Sequence, residues 1–396
     1  MIPEAADTPP QSAATSRARP VYLDNHATTR VDPQVIAAML PFFDADYGNA
    51  ASINHRYGWV AREAVERARS DVARLLNCPA EAIVFTSGGT EANNLALKGV
   101  MKAAGGGHLI VSAVEHRSIL DPAKRLSRQA CQMTVVPVDQ FGHIDPQAIA
   151  AALRPETVLV SVILANNEVG TINGLREIAE ACRARDVLVH CDAVQAAGRI
   201  PVDFSELAVD LMSLSAHKLY GPKGIGALLI RGDGRPIRLE PLFDGGGHER
   251  RMRSGTLAVP SIVGFGTACR VARESLGTEP ARIAALRDRL WAGLSQRLDG
   301  LVLNGHPTER LPGNLNISFD RVDGELLMKA LTEVAVSSGS ACTSADPEPS
   351  HVLRAMGIPE ALSKASLRFG LGRFTTAEEI EFAMDYVATT VKRLRK

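Results

Sequence analysis

Little in this sequence points to a partner of one charge or to a framework of cross-links. The 396 residues carry 44 Lys+Arg against 44 Asp+Glu, and no basic block stands out. Nucleic acid and other polyanions are therefore not expected as partners. Six cysteines (Cys78, Cys131, Cys182, Cys191, Cys269, Cys342) are scattered, with no CxxC pair and no zinc-ligand spacing. That usage fits reduced thiols in a cytoplasm, not a secreted disulfide scaffold. The N-terminus lacks an apolar signal core. The strongest apolar run, Val158 to Ala165, is too short to cross a bilayer, so no membrane partner is expected. No internal repeat occurs. Lysine is scarce too, nine of the 44 cations, which makes the location of each one informative.

The rest is ordinary globular usage, 45% hydrophobic and 22% charged, in a chain long enough for two or three domains with large cores. Residues 1–20 are rich in Pro, Ala and Ser and predict a disordered tail. Ala61, Val65, Ala68, Val72 and Leu75 recur at helical spacing. Seven short apolar runs follow, around Ile83, Leu109, Thr134, Val158, Val187, Leu211 and Ile225, most of them separated by helical or Gly/Pro-rich segments. This alternation predicts an α/β fold with a mostly parallel, seven-stranded sheet flanked by helices. From about residue 272 an Arg-rich amphipathic helix (about Ala281 to Leu298), short strands such as Leu315 to Phe319, a Ser/Gly loop and a last helix predict a smaller α+β domain. The expected organisation is a large domain over 32–271, with 21–31 and 272–396 forming the small one.

Three strand-to-loop junctions carry chemistry. Ser87-Gly88-Gly89-Thr90-Glu91 lies between a strand and a helix, where free N–H groups and the positive helix end suit an anion, although a plain βα turn explains it as well. It has neither the Lys of a P-loop nor GxGxxG. His190-Cys191-Asp192 ends another strand, and ligands bind beyond the carboxyl ends of strands in open α/β sheets. An acid there is placed to pair with a cationic ring nitrogen; helix capping is the simpler alternative. A metal reading of His190 and Asp192 lacks a third ligand. Ser213 to Gly224 holds two of the nine lysines, Lys218 and Lys223, and a lysine among apolar residues forms a Schiff base readily. A phosphate cradle, an acid for a pyridinium nitrogen and a Schiff-base lysine are together what pyridoxal phosphate requires.

Two further segments stand out. Ser337 to Ser344 surrounds Cys342 with small residues, unlike Cys182, Cys131 and Cys269, which sit in helical, strand-edge or apolar contexts. Arg368, in Leu367-Arg368-Phe369-Gly370-Leu371-Gly372-Arg373, is suited to fork onto a substrate carboxylate.

These residues resemble a family. Tyr22 to Thr29, Gly89-Thr90-Glu91, Glu115-His116, Asn166-Asn167-Glu168, Asp192 to Gln195, Ser215 to Lys218, Gly245 to Arg250, Arg253 to Thr256, Ser338 to Cys342 and Arg368 to Arg373 follow, in order, the motifs of cysteine desulfurases of the NifS/IscS type. These are fold-type I pyridoxal-phosphate enzymes of the class V aminotransferase group. The resemblance implies that Lys218 holds the cofactor and moves the substrate's α-proton, that Asp192 pairs with the pyridine nitrogen and Gln195 with the ring hydroxyl. His116 would stack on the ring and act in proton transfer. Thr90, Ser215, His217 and the backbone at Gly89 would hold the phosphate, with Thr256 reaching the phosphate of the partner in a homodimer. Asn167 and Arg368 would bind the substrate carboxylate, and Asn167 also borders the cofactor. Cys342 would take sulfur from L-cysteine as a persulfide, leaving L-alanine, and pass it to an acceptor for iron–sulfur cluster assembly or other thiolation. No metal serves catalysis in that scheme, although the persulfide of Cys342 is a candidate transient iron–sulfur ligand. A selenocysteine lyase or aminotransferase on the same fold is the alternative, and neither needs the thiol. Two positions depart from the family pattern, Ala216 where Gly is expected and Gly370 where Ser is more usual; neither is expected to carry chemistry.

Overall fold

The computed structural model describes residues 19–232, 236–338 and 349–396. Cys342 lies outside them, as does nearly all of the expected N-terminal tail.

A short strand β1 (Val21–Tyr22) precedes the large sheet. The sheet is built from β2 (Ile83–Thr86), β3 (Gly107–Ser112), β4 (Cys131–Val136), β5 (Thr157–Ile163), β6 (Leu188–Asp192), β7 (Leu211–Ser215) and β8 (Gly226–Ile230). Its order is β2-β8-β7-β6-β5-β3-β4, and each of the seven expected runs supplies one strand. All are parallel except β8, which runs against both β2 and β7. The two-residue period of the strands divides the sheet into two cores. Phe85, Ile110, Val160, Val162, Val189 and Leu214 face helices Arg56–Leu76, Leu175–Arg183 and Val259–Ser275. Val84, Leu109, Val111, Leu159, Leu211 and Leu228 face helices Gly89–Ala103 and Arg117–Ser127. Strands buried on both faces need continuous apolar runs, as the sequence has.

Beyond helix Val259–Ser275, whose last turn runs past residue 271, comes a four-stranded antiparallel sheet, β12-β13-β10-β9. Its strands are β9 (Leu301–Asn304), β10 (Asn314–Phe319), β12 (Ser337–Ser338) and β13 (Ser366–Gly370), while β11 (Val334–Ala335) pairs in parallel with β1. A separate core of Leu290, Leu294, Ile317, Phe319, Phe369, Ile380 and Val387 joins this sheet to helices Glu279–Arg297 and Ala377–Leu394. Val21 and Leu23 belong to the same core, so the start of the described chain packs with its end.

Candidate active site

The carboxyl ends of the parallel strands open onto one cavity of about 690 Å³. Gly89 and Thr90 follow β2, His116 follows β3, Asn167 follows β5, Asp192 ends β6, and Ser215, His217 and Lys218 end or follow β7; all line it with Gln195. Arg368 reaches it from β13. Every expected site residue among the described ones therefore meets here except Thr256. That residue is exposed in the loop before helix Val259–Ser275 and does not line the cavity of its own chain.

The Gly-rich turn is built to receive an anion. Helix Gly89–Ala103 starts without a side-chain cap, leaving its first N–H groups open. Gly88 has φ +151°, and a Cβ on Gly89 would lie 2.8 Å from Val194 Cγ2, so the backbone approaches as closely as only glycine allows. Glu91 fixes the turn by accepting the Ser87 N–H at 2.8 Å and pairing with Arg253 at 2.9 Å. Burial pulls the Glu91 carboxyl up, but the Arg253 and Ser87 bonds prevail and hold it below the usual range.

Asp192 is nearly buried; it accepts the Val194 N–H at 3.0 Å and the Asn93 amide at 2.7 Å. Asn93 also donates to Ser118 Oγ at 2.8 Å, and Ser118 Oγ lies 2.7 Å from His116 Nδ1. Since the Ser118 backbone N–H also donates to His116 Nδ1, at 3.1 Å, that nitrogen is the acceptor and the ring proton belongs on Nε2. His116 is thus both the N-cap of helix Arg117–Ser127 and part of the cavity wall. Burial lowers its pKa, Lys218 and Arg117 act in the same sense, and Asp192 and Asp121 oppose. His217, bonded to Thr28 Oγ1 at 3.1 Å, is driven down to about 4 by burial and the neighbouring lysines, so it is a neutral ligand here.

Lys218 Nζ donates to the His26 and Ala27 carbonyls at 2.6 Å each. Gln195 Nε2 donates to the same His26 carbonyl at 3.0 Å. Arg368 gives Nη2 to Asp24 Oδ1 at 3.0 Å and Nη1 to the Asn167 carbonyl at 2.9 Å; its buried Nε has no partner. That nitrogen is shut off from solvent, so Arg368 borders the cavity with other parts of its side chain.

Sequence reasoning missed several residues here. Asn93 and Ser118 connect Asp192 to His116. Glu115 is fully buried, accepts from Ser112 Oγ at 2.5 Å and the Ile163 N–H at 2.8 Å, and is pushed up to about 8 by burial, with the Asp192 charge adding to this. Glu168 accepts from Ser350 Oγ and is raised to about 7 by burial. Neighbouring motif positions pointed to Glu115 and Glu168, but nothing local marked Asn93 or Ser118. His190, weighed as a metal ligand, instead spans Ser161 Oγ at 2.9 Å and Ser213 Oγ at 2.8 Å. Gly370 is more than an indifferent departure from the pattern. A Cβ there would lie 2.9 Å from the backbone nitrogens of Asn25 and His26, so its absence lets the His26 turn reach the cavity.

The fold and this cavity define the class: the chain belongs to the family described as aminotransferase class-V, whose profile matches residues 21–382, and whose chemistry depends on pyridoxal phosphate. More narrowly, the relatives place it with the cysteine desulfurases. It is 53% identical over 379 residues to "Cysteine desulfurase IscS" of Anaeromyxobacter dehalogenans (strain 2CP-C), covering 95% of this chain and 94% of the relative. Among solved structures it resembles a "NIFS-LIKE PROTEIN" (TM-score 0.88, 35% identity, 95% of this chain and all of that one, 100%). It also resembles a protein described as "SspA in complex with cysteine" (TM-score 0.80, 32% identity, 90% and 100% covered).

Proposed function

We propose that this cysteine desulfurase converts L-cysteine to L-alanine and passes the sulfur through Cys342 to an acceptor protein. One observation carries the reading: Lys218, Asp192, His116 and Arg368 converge on a single cavity. The residues fit pyridoxal phosphate. Lys218 Nζ would hold its aldehyde, Asp192 its ring nitrogen and Gln195 its hydroxyl, with Thr90, Ser215, His217 and the Gly89 turn around its phosphate. When bound, pyridoxal phosphate supplies an electron sink for negative charge at the substrate Cα.

The chain's own groups do the rest. The Arg368 guanidinium binds and orients the substrate carboxylate beside Asn167. Lys218 takes the Cα proton, with the His26 and Ala27 carbonyls ready to accept from its hydrogens. His116 presents Nε2–H to the cavity and so donates there. The Cys342 thiolate forms a bond to the substrate sulfur as the Cβ–S bond breaks, and protonation at carbon completes alanine. Cysteine plus thiol gives alanine plus persulfide, with no outside oxidant or reductant. The solved relative with bound cysteine supports this substrate. The acceptor is an iron–sulfur scaffold or another thiolation protein, and the Cys342 persulfide is a candidate transient iron–sulfur ligand.

The working form is a homodimer. Leu40, Phe43, Tyr47, Ile53 and Trp59 are 59%, 63%, 67%, 63% and 56% exposed, an apolar surface suited to a second copy. Thr256, outside its own cavity, is free to serve the partner's. A cytoplasmic setting is supported by the free thiols Cys78, Cys131, Cys182, Cys191 and Cys269 and by the lack, among the described residues, of any helix long and apolar enough to cross a membrane.

Release of sulfide and alanine from L-cysteine, with a reductant present, tests the reading. Equal amounts are expected, both lost in Cys342→Ala while that variant still holds its yellow cofactor. Undiminished turnover in the variant would refute the persulfide route and favour the selenocysteine-lyase alternative.

A further inference from the structure

Arg199 lies behind the cavity, not in its wall. Its five N–H groups all go to neutral acceptors. Nη1 donates to His26 Nδ1 at 2.8 Å and Gln195 Oε1 at 2.9 Å, Nη2 to the carbonyls of Asn25 at 2.6 Å and Lys218 at 2.9 Å, and Nε to the Lys218 carbonyl at 3.3 Å. Among the described residues no carboxylate pairs with it. Glu279 acts on it from farther away but is itself held by Arg373 at 2.7 Å. Burial pulls Arg199 down to about 10, a measure of what an unmatched guanidinium costs at this position. A charge kept at such cost beside a lysine calls for a role.

We propose that Arg199 is a positioning residue that clamps the Lys218 backbone to Gln195 and the His26 turn, and whose unmatched positive charge favours the uncharged form of the Lys218 amine. A lysine is activated for covalent work in this way by a neighbouring cation. Charges that share neighbours with Lys218 include Arg368 from β13 and Lys223 from its own loop, of the same sign, and Asp192 from β6, of the opposite sign. His116 and His217 are uncharged. The two carbonyls that hold Nζ do not demand an ammonium, because a neutral amine has two hydrogens to give. The inference rests on the pyridoxal-phosphate reading, which makes Lys218 the attachment point.

Trace acetylation of the cofactor-free, full-length protein, followed by peptide mass spectrometry across pH, reports the uncharged fraction at each lysine. In the wild type Lys218 should titrate below Lys223. Arg199→Gln should move the Lys218 midpoint up by about one unit, about ten-fold less labelling at neutral pH, with Lys223 unmoved. Arg199→Lys, which keeps the charge, should stay near the wild type. A Lys218 midpoint at or above that of Lys223 in the wild type overturns the proposal, whether or not any variant folds. An unmoved midpoint in Arg199→Gln, or an equal shift in Arg199→Lys, overturns it as well. The readout needs no bound cofactor. A wild type that fails to take pyridoxal phosphate at Lys218 would instead refute the preceding reading.

Discussion

Glu249→Gln is the most informative change outside the cavity. Glu249 and the two residues after it have φ of 46°, 55° and 66°, a left-handed turn of three residues with side chains. Each costs roughly 1–2 kcal/mol in that conformation, so something must hold them there. Glu249 is buried; its carboxylate forks onto Arg69 at 2.8 and 2.9 Å and accepts the Phe85 N–H at 2.7 Å. Phe85 belongs to β2, which leads into the anion turn, so the pair ties the left-handed segment to the start of the cofactor site. Removing one partner of such a buried pair costs about 3–5 kcal/mol. The glutamine keeps an oxygen for the Phe85 N–H, and Arg69 keeps the Ile83 carbonyl at 3.0 Å, so the lower end, about 3 kcal/mol, is expected. Adding Arg69→Met removes the stranded cation, and the double variant should lose less than the two single losses combined. Urea titration reads this. Trp59, in helix Arg56–Leu76, and Trp291, in helix Glu279–Arg297, report the two halves of the molecule separately. The loss should be larger at Trp59. A change below about 1 kcal/mol, or single losses that simply add, would refute the account of the turn.

Three further outcomes are expected. Burial holds the Glu168 proton on up to about 7 in the folded state, whereas the unfolded chain releases it near the ordinary carboxyl value; that contribution is full at low pH and fades as pH rises to about 7. Glu168→Gln should therefore match the wild type in melting temperature only below the ordinary carboxyl range, at about pH 4, and exceed it at about pH 9, and a pH-independent difference would contradict this. Arg368→Lys, losing the fork onto Asp24 and the Asn167 carbonyl, should raise KM for L-cysteine at least about 10-fold with a smaller change in kcat; a kcat effect alone would remove it from substrate binding. Gly370→Ser should destabilise by about 1–3 kcal/mol through its close approach to the His26 turn, read as a lowered urea midpoint at Trp291, and an unchanged midpoint would show that the turn yields freely.

Much of this architecture is legible in local patterns. Six of the seven strands are buried and announce themselves as apolar runs because both faces of the sheet are covered there, whereas the edge strand β4 is largely half-buried or exposed; the helix at Gly89 is marked by its turn. The reversed direction of β8 is not written in Ile225 to Ile230, since a buried strand has the same composition either way. Asn93 is equally silent: its partners Ser118 and Asp192 are distant in sequence, and an asparagine inside an apolar helix looks like any tolerated polar residue. Arg199 is one of 35 arginines, distinguished only by acceptors from three separate segments. The left-handed turn at Glu249 falls on charged residues with no preference for that conformation, so only tertiary contacts specify it.

The reversed strand also bears on how much this enzyme's sequence can vary. Because β8 returns directly beside β7, the loop bearing Lys218 is a short hairpin whose ends are locked together where Ser215 pairs with Gly226. The other site-bearing turns feed into longer excursions that absorb an added or deleted residue before the next strand begins. The lysine hairpin has no such slack, since a one-residue slip would turn every side chain of β8 to the opposite face. Length variation in this architecture should therefore collect in the crossovers on the far side of the sheet, while the span from Ser215 to Gly226 keeps a fixed count of residues.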